Sequence, residues 1–269
     1  MPRRTTTVIN SAQNPKIKLV AQLAKPRVRR TEQLFVIEGV REILLARDAG
    51  YVLRQVFWCQ AVKSQYPIEQ LFVDLPEDVP IYEVNRDLFA KISYRDNVDG
   101  VLVLARTREL RLGQIALSAN PLILVLEAVE KPGNLGAILR TADAAGVDAV
   151  IVCDPQTDIY NPNVVRSSLG CLFACQIAVD SSVNVQAFLK QRGIAAYAAT
   201  LAGTQWYHVT DFTIPCAIIL GTEAQGLSDF WLQNADAQIT IPMLGKVDSL
   251  NVSTSTAILV YEAKRQRGF

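Results

Sequence analysis

The 269-residue sequence predicts an α/β chain, in which a small α/β unit precedes a larger unit built on a parallel sheet with helices on both faces. Three observations carry this. Near-continuous apolar runs such as Leu122-Ile-Leu-Val-Leu126 and Ala217-Ile-Ile-Leu220 suit strands buried on both faces, as in parallel sheets. After Pro121, runs of strand length alternate with helical periodicity, the pattern of a sheet wound with crossover helices. Between the two halves, Thr107 to Asn120 is polar and mixed. It is taken as the linker, with domains at 1–112 and 113–269.

In the first half, residues 14–24 read as a short helix with Ile17, Val20, Leu23 and Ala24 on one side, followed by a basic link. Leu34–Glu38 is a predicted strand, and Val40–Ala49 a helix that Gly50 ends. Val52–Trp58 and Leu71–Val73 are predicted strands, Leu88–Ile92 a short helix, and Val101–Ala105 a strong strand. In the second half, strands are expected at 121–127, 149–153, 173–179, 194–199, 216–221 and 237–242. Helices are expected at 134–145, 162–170, 183–192, 228–234 and 250–266.

Half the residues are hydrophobic, enough for a substantial core. No apolar run reaches the roughly 18 residues of a membrane span, and Met-Pro-Arg-Arg-Thr-Thr-Thr lacks the apolar stretch of a secretory signal. A soluble, cytoplasmic protein is expected. The five cysteines have no disulfide spacing, and Cys171-x-x-x-Cys175 has one histidine, His208, to help it bind metal. Buried free thiols and no metal are expected. The net charge of +1 hides an asymmetry: residues 1–112 carry 18 Lys/Arg against 13 Asp/Glu, and the remainder carry 9 against 13. The first 30 residues hold Arg3, Arg4, Lys16, Lys18, Lys25, Arg27, Arg29 and Arg30 and no acidic residue. Such an arm attracts a polyanion; a solvated tail is the plain alternative.

Three glycine-polar segments fall where strands end, the place where ligands bind in open α/β sheets. The first is Asn134-Leu-Gly-Ala-Ile-Leu-Arg140-Thr-Ala, after the strand ending near Glu127. Asn134 can cap the following helix. Arg140, roughly 120° further round the helix axis, offers a planar fork of donors suited to phosphate, or a partner for a nearby carboxylate. The second is Gly221-Thr-Glu223-Ala-Gln-Gly226-Leu-Ser228. A phosphate-binding loop needs lysine after its second glycine; Leu227 stands there, so a nucleotide hydrolase is rejected. A dinucleotide fold is disfavoured because neither half has G-x-G-x-x-G after its first strand. The glycines still let backbone amides approach a ligand. The third is Ile241-Pro-Met-Leu-Gly-Lys-Val-Asp-Ser249-Leu-Asn251-Val-Ser253. Ser249 can cap the last helix, but three polar residues at alternate positions exceed what one cap needs.

Taken in order, the three segments resemble the signature motifs of the SpoU-type (TrmH-like) RNA 2′-O-ribose methyltransferases of the SPOUT class, over about residues 121–267. They match N-x-G-x-x-x-R-T-A, G-x-E-x-x-G-L and I-P-M-x-G-x-x-x-S-L-N-V-S. Phe35-Val-Ile-Glu38-Gly39 and Asp99-Gly100-Val-Leu-Val resemble, less specifically, the ribosomal-protein-like substrate-binding domain that precedes many members. Asp99 departs from the glutamine of many relatives, and Thr254-Ser255 from a more apolar continuation.

The resemblance implies a deep trefoil knot in the second domain and a homodimer through it, with the active site near the subunit interface. It implies S-adenosylmethionine as cofactor, held near Thr200, Leu220, Gly221, Gly226, Ile241, Met243 and Leu250. Arg140 becomes the central catalytic residue, with Asn134, Glu223, Ser249 and Asn251 placing RNA, cofactor and Arg140. Arg140 also becomes an RNA contact, and Arg27, Arg29 and Arg30 of the basic arm are expected RNA contacts on their charge. Arginine as a literal base is physically awkward, because its pKa lies above roughly 12; binding phosphate and orienting the 2′-oxygen suits it better. His208 lies outside the motifs. The implied reaction is 2′-O-methylation of structured RNA. The sizeable first domain favours 23S ribosomal RNA over tRNA, and a non-catalytic RNA-binding or ribosome-assembly protein is the alternative of a different class.

Overall fold

The computed structural model describes residues 6–64, 66, 68–73, 75–94 and 99–269; Arg3 and Arg4 of the basic arm lie outside the described residues. Along the chain the elements run β1 (Thr6–Ile9), α1 (Pro15–Gln22), α2 (Pro26–Glu32), β2 (Leu34–Glu38), α3 (Val40–Asp48), β3 (Leu53–Trp58), α4 (Ile68–Val73), β4 (Ile81–Val84), α5 (Arg86–Ile92) and β5 (Val101–Arg106). There follow β6 (Leu122–Glu127), α6 (Pro132–Ala144), β7 (Ala149–Cys153), α7 (Pro162–Ser167), α8 (Cys171–Ala174), β8 (Ile177–Asp180), α9 (Ser182–Gln191), β9 (Ala195–Ala199) and β10 (Gln205–Trp206). The last are β11 (Cys216–Leu220), α10 (Asp229–Asn234), β12 (Ala237–Thr240) and α11 (Val252–Arg267). The chain forms two compact units: Met1–Arg108 with Asp158–Ala174, and Glu109–Thr157 with Cys175–Phe269.

The first unit holds a five-stranded mixed sheet in the order β1-β4-β3-β5-β2. Its strongest strand, β5, buries Val101 to Ala105 completely, because β3 and β2 flank it on both edges. Several expectations are corrected here. The basic link is a helix, α2, which Pro26 starts and Gln33 ends in the left-handed conformation at φ 53°. Leu71–Val73 is the end of α4 and not a strand: Ile68 and Leu71 are both buried, and a three-residue spacing puts both on one helix face. Strands β1 and β4 were not expected; β1 buries only Ile9, so its residues carry little apolar pattern.

The segment Asp158–Ala174 packs in the first unit although its neighbours on both sides belong to the second. Residues 173–179 were expected as one strand. Instead Leu169 and Gly170 both take positive φ, 50° and 89°, and reverse the chain into α8. Phe173 then stacks near Phe35 and Tyr51, and β8 starts only at Ile177.

The second unit is a seven-stranded, wholly parallel sheet in the order β10-β12-β9-β11-β6-β7-β8. Leu122 to Leu126 are all fully buried, each worth roughly 1.5–3 kcal/mol of transfer free energy. One face packs Ile123, Val125, Ile151 and Ile219 against Val185, Leu189 and Trp231 of α9 and α10. Helices α6 and α11 pack against each other. Strand order reverses between β6 and β11, since the chain runs from β6 outward to β8 and returns on the far side of β11. The crevice at the strand carboxyl ends beside such a reversal is the ligand position of open α/β sheets.

Candidate active site

All three motif segments sit at carboxyl ends of this second sheet. The Gly221 segment leaves β11, whose Leu220 pairs with Leu126 of β6. A Cβ on Gly221 would lie 2.1 Å from the Gly226 carbonyl oxygen, so no other residue fits without moving that backbone. The close approach makes a small hairpin. The Thr222 amide donates to the Gly226 carbonyl at 2.9 Å, the Gly226 amide returns a bond at 3.0 Å, and Gly226 takes φ 71°. Glu223, Ala224 and Gln225 form its tip.

The far end of the hairpin is tied to β6. Ser228 donates its amide to one Glu127 oxygen at 2.8 Å and its hydroxyl to the other at 2.6 Å. Glu127 is buried. Beside it, Ser182 donates its hydroxyl to Asp154 at 2.7 Å and accepts from the Trp231 indole at 3.0 Å. Motif reading missed this network; the one signal for it was a carboxylate closing an otherwise apolar strand run.

The Ile241 segment runs from the end of β12 to α11. Among the described residues, 241–250 make no backbone–backbone hydrogen bond, which leaves their amides and carbonyls to solvent or a ligand. Asn251, not Ser249, caps α11: its Oδ1 accepts from the Ser253 amide at 2.9 Å and the Ser253 hydroxyl at 2.6 Å. Its Nδ2 donates to Asn134 Oδ1 at 3.2 Å. The expected cap at Asn134 is also corrected. Pro132 starts α6 with no side-chain cap, because proline needs no amide partner at that position. Asn134 therefore lies inside the first turn, and its Nδ2 is buried without a partner among the described residues.

A cavity of about 370 Å³ opens between the second and third of these segments. Thr200, Leu220, Gly221, Gly226, Ile241, Met243 and Leu250 all line it, together with Glu223 and Ser249. Asn134, Arg140 and Asn251 do not. Arg140 projects from α6 into solvent, and no hydrogen bond or ion pair engages it among the described residues, so its guanidinium is available to an outside anion. Lys131, just before α6, forms an ion pair with Glu223. The first segment thus meets the third through Asn134 and Asn251, and the second through Lys131 and Glu223.

In the first unit, Arg27 and Arg30 are exposed. Arg29 is not a surface contact. Its side chain is 1% exposed, pairs with Asp158 at 2.7 Å and donates to the Leu23 and Ala24 carbonyls at 2.7 and 2.9 Å. A helix that turns one face inward takes its arginine with it, which a charge count cannot show. Cys153 and Cys216 are buried and unpaired; burial pushes their thiols up to about 12 and about 11, far from reactive thiolates.

The chain belongs to the SpoU rRNA methylase family, whose model matches residues 121–261. Residues 14–103 match the model of an MRM3-like substrate binding domain. The chain is similar to the 23S rRNA (guanosine(2553)-2′-O)-methyltransferase RlmP of Bacillus subtilis, with 28% identity over 95% of this chain and 98% of that protein. Among solved structures it is similar to an RNA 2′-O ribose methyltransferase, with 40% identity, a TM-score of 0.85 and coverage of 98% and 100%. It is also similar to an AdoMet-bound rRNA methyltransferase from Sinorhizobium meliloti, with 29% identity, a TM-score of 0.89 and coverage of 97% and 98%.

Proposed function

We propose that this protein transfers a methyl group from S-adenosylmethionine to a ribose 2′-hydroxyl of structured RNA, ribosomal RNA before tRNA. The observation that carries the reading is a cavity lined by the second and third motif segments, to which the Asn251–Asn134 bond ties the first, with an unengaged arginine on the first segment's helix. The cavity volume lies in the range of small-molecule sites, about 300–1,000 Å³. The Gly221 crossing and the unpaired backbone of 241–250 suit a ligand rich in hydrogen-bonding edges. Thr200, Leu220, Gly221, Gly226, Ile241, Met243 and Leu250 hold the cofactor, which supplies the methyl group on a positively charged sulfur.

The protein's own part is alignment and proton management. Arg140 binds an RNA phosphate and orients the 2′-oxygen, and the hydroxyl proton leaves to phosphate or water because the guanidinium stays protonated. The Asn251–Asn134 bond fixes the start of α11 against the start of α6, and so sets Arg140 relative to the cofactor pocket. Glu223 and Ser249 border the cofactor. DNA, lacking the 2′-hydroxyl, is no substrate.

The first unit carries the RNA, through Arg27, Arg30 and their basic neighbours; Arg29 serves the fold. Along the chain this division of labour follows the limits 1–112 and 113–269, apart from Asp158–Ala174, which packs in the first unit. The protein works in the cytoplasm as a homodimer through its second unit, where Trp206, Val209, Tyr261 and Phe269 expose apolar surface. Passage of the 241–269 segment through a preceding loop makes the trefoil knot. Similarity to a 23S rRNA 2′-O-methyltransferase over 95% of the chain supports ribosomal RNA. The test is transfer of labelled methyl from S-adenosylmethionine to deproteinised ribosomal RNA and to tRNA. Resistance of the labelled linkage to alkali and preference for ribosomal RNA are expected; label on a base, or none, would overturn the reading.

A further inference from the structure

Arginines from separate stretches of chain meet at one end of the first unit's sheet. Strand β2 begins there and β5 ends there, Leu34 pairing with Arg106. The next residue, Thr107, donates its amide and its hydroxyl to Gln33 at 3.0 and 3.2 Å, and Gln33 donates its side-chain amide to the Arg30 carbonyl at 2.7 Å. On the other side of β5, the Arg106 amide donates to the Val52 carbonyl at 2.9 Å, just before β3. Arg54 is then an extra residue in β3, because Leu53 pairs with Ala105 and Gln55 with Leu104. Such a bulge re-aims the side chain it carries. Arg108, two residues past β5, lies over the Tyr51 ring at 4.1 Å from its centre and donates to the Ala49 carbonyl at 2.9 Å. Ring and carbonyl hold its planar fork in place, so little freedom is lost when the remaining donors meet a ligand.

Arg30, Arg54, Arg106 and Arg108 are all exposed, and among the described residues none of them pairs with a carboxylate. Of the acidic residues close to them in sequence, Asp48 is held by Arg47 and Glu109 by Arg111, which leaves Glu32. Like charges gathered at one end repel one another, and a ligand with several phosphates relieves them. We propose that this end of the first unit's sheet is a phosphate-binding surface for the RNA, which continues from Arg30 of α2 onto Arg54, Arg106 and Arg108. The opposite end, where β2, β3 and β4 finish, also has exposed basic residues, Arg41, Lys63 and Arg86. There, however, the Asp99 carboxylate already takes the amide that opens α3, at 3.1 Å, and exposed Asp87 stands next to Arg86. A phosphate at that end meets carboxylates. The inference rests on RNA being the substrate, as proposed above.

The test is binding of deproteinised ribosomal RNA to the full-length protein over a range of salt concentrations. Arg54→Gln/Arg106→Gln/Arg108→Gln should reduce the logarithmic salt slope by roughly 2.1–2.7, at about 0.7–0.9 per phosphate contact. The advantage of wild type over this variant should then shrink roughly 20- to 40-fold between about 50 and 200 mM salt. Arg41→Gln/Lys63→Gln/Arg86→Gln removes the same charge from the opposite end and should leave the slope within about 0.5 of wild type. Arg108 also supports the turn at Ala49, so Arg54→Gln/Arg106→Gln, which breaks no side-chain hydrogen bond among the described residues, guards against a folding defect. Its slope should fall by roughly 1.4–1.8. Equal losses at both ends would reduce the effect to net charge, and a loss confined to the opposite end would place the RNA there; either would overturn the surface. Wild type that binds RNA with every variant unchanged would overturn the surface alone, whereas wild type that binds no RNA would take down the RNA reading with it.

Discussion

Asn251 performs two tasks with one amide group. Its oxygen caps α11 and its nitrogen reaches Asn134, and a single substitution can separate the two. Aspartate caps a helix as well as asparagine does but has no donor for Asn134. Asn251→Asp should therefore keep unfolding stability within about 0.5 kcal/mol while lowering methyl transfer on the order of 10- to 100-fold through misalignment. Asn251→Ala should lose about 1 kcal/mol as well. Urea unfolding and turnover, measured on the same samples, check both; undiminished turnover in the aspartate variant would remove the alignment role. At this scale the sequence was partly legible. Gly221, Gly226 and the polar positions around Ser249 and Asn251 stood out because glycine and alternating polar residues are costly without a reason. Which of them caps the helix was not legible, since Ser249 and Asn251 have nearly equal capping tendency and the backbone path decides. Arg29 was misread for a similar reason: charge is visible in a sequence, and the direction a helix turns it is not.

Between elements, the tie that matters most at the site is Glu127 to Ser228. It fastens the end of β6 to the start of α10, and so holds the hairpin between Gly221 and Leu227 from below. Two donors converge on the two carboxylate oxygens. In Glu127→Gln one acceptor becomes a donor that faces a donor, which should cost about 2–3 kcal/mol of stability. The measurement is the urea midpoint at unchanged slope; a midpoint within error of wild type would show the tie to be dispensable. The β/α alternation of the second unit was readable because a strand buried on both faces must be apolar throughout, as Leu122 to Leu126 are. Elements with one buried face or one buried residue escaped: β1 buries Ile9 alone, and α4 rests on Ile68 and Leu71. The turn at Leu169-Gly170 was hidden by the apolar residues after it, which looked like a continuing strand.

Over the whole molecule, positive charge gathers in the first 30 residues, as sequence counts alone show, and the cavity lies in the second unit. The return of Asp158–Ala174 to the first unit was invisible, because the long-range burial of Arg29 by Asp158 leaves no local pattern. These facts make the arginines of α2 distinguishable. Replacing Arg27 and Arg30 by glutamine should flatten the salt dependence of RNA binding by about 1.4–1.8 in logarithmic slope without changing stability; an unaltered slope would exclude them from the interface. Arg29→Ala should instead destabilise the first unit by about 1–3 kcal/mol, by leaving half-buried Asp158 and the Leu23 and Ala24 carbonyls without their donor. The central claim is methyl transfer to an RNA 2′-oxygen that depends on Arg140. It is tested most directly by mass spectrometric mapping of 2′-O-methyl groups in RNA from cells lacking this protein, complemented with either wild type or Arg140→Ala. One ribosomal RNA methyl group that disappears on deletion, returns with wild type and stays absent with Arg140→Ala is the expected result, given equal levels of both proteins. Full restoration by Arg140→Ala, or no methyl group lost on deletion, would contradict the account.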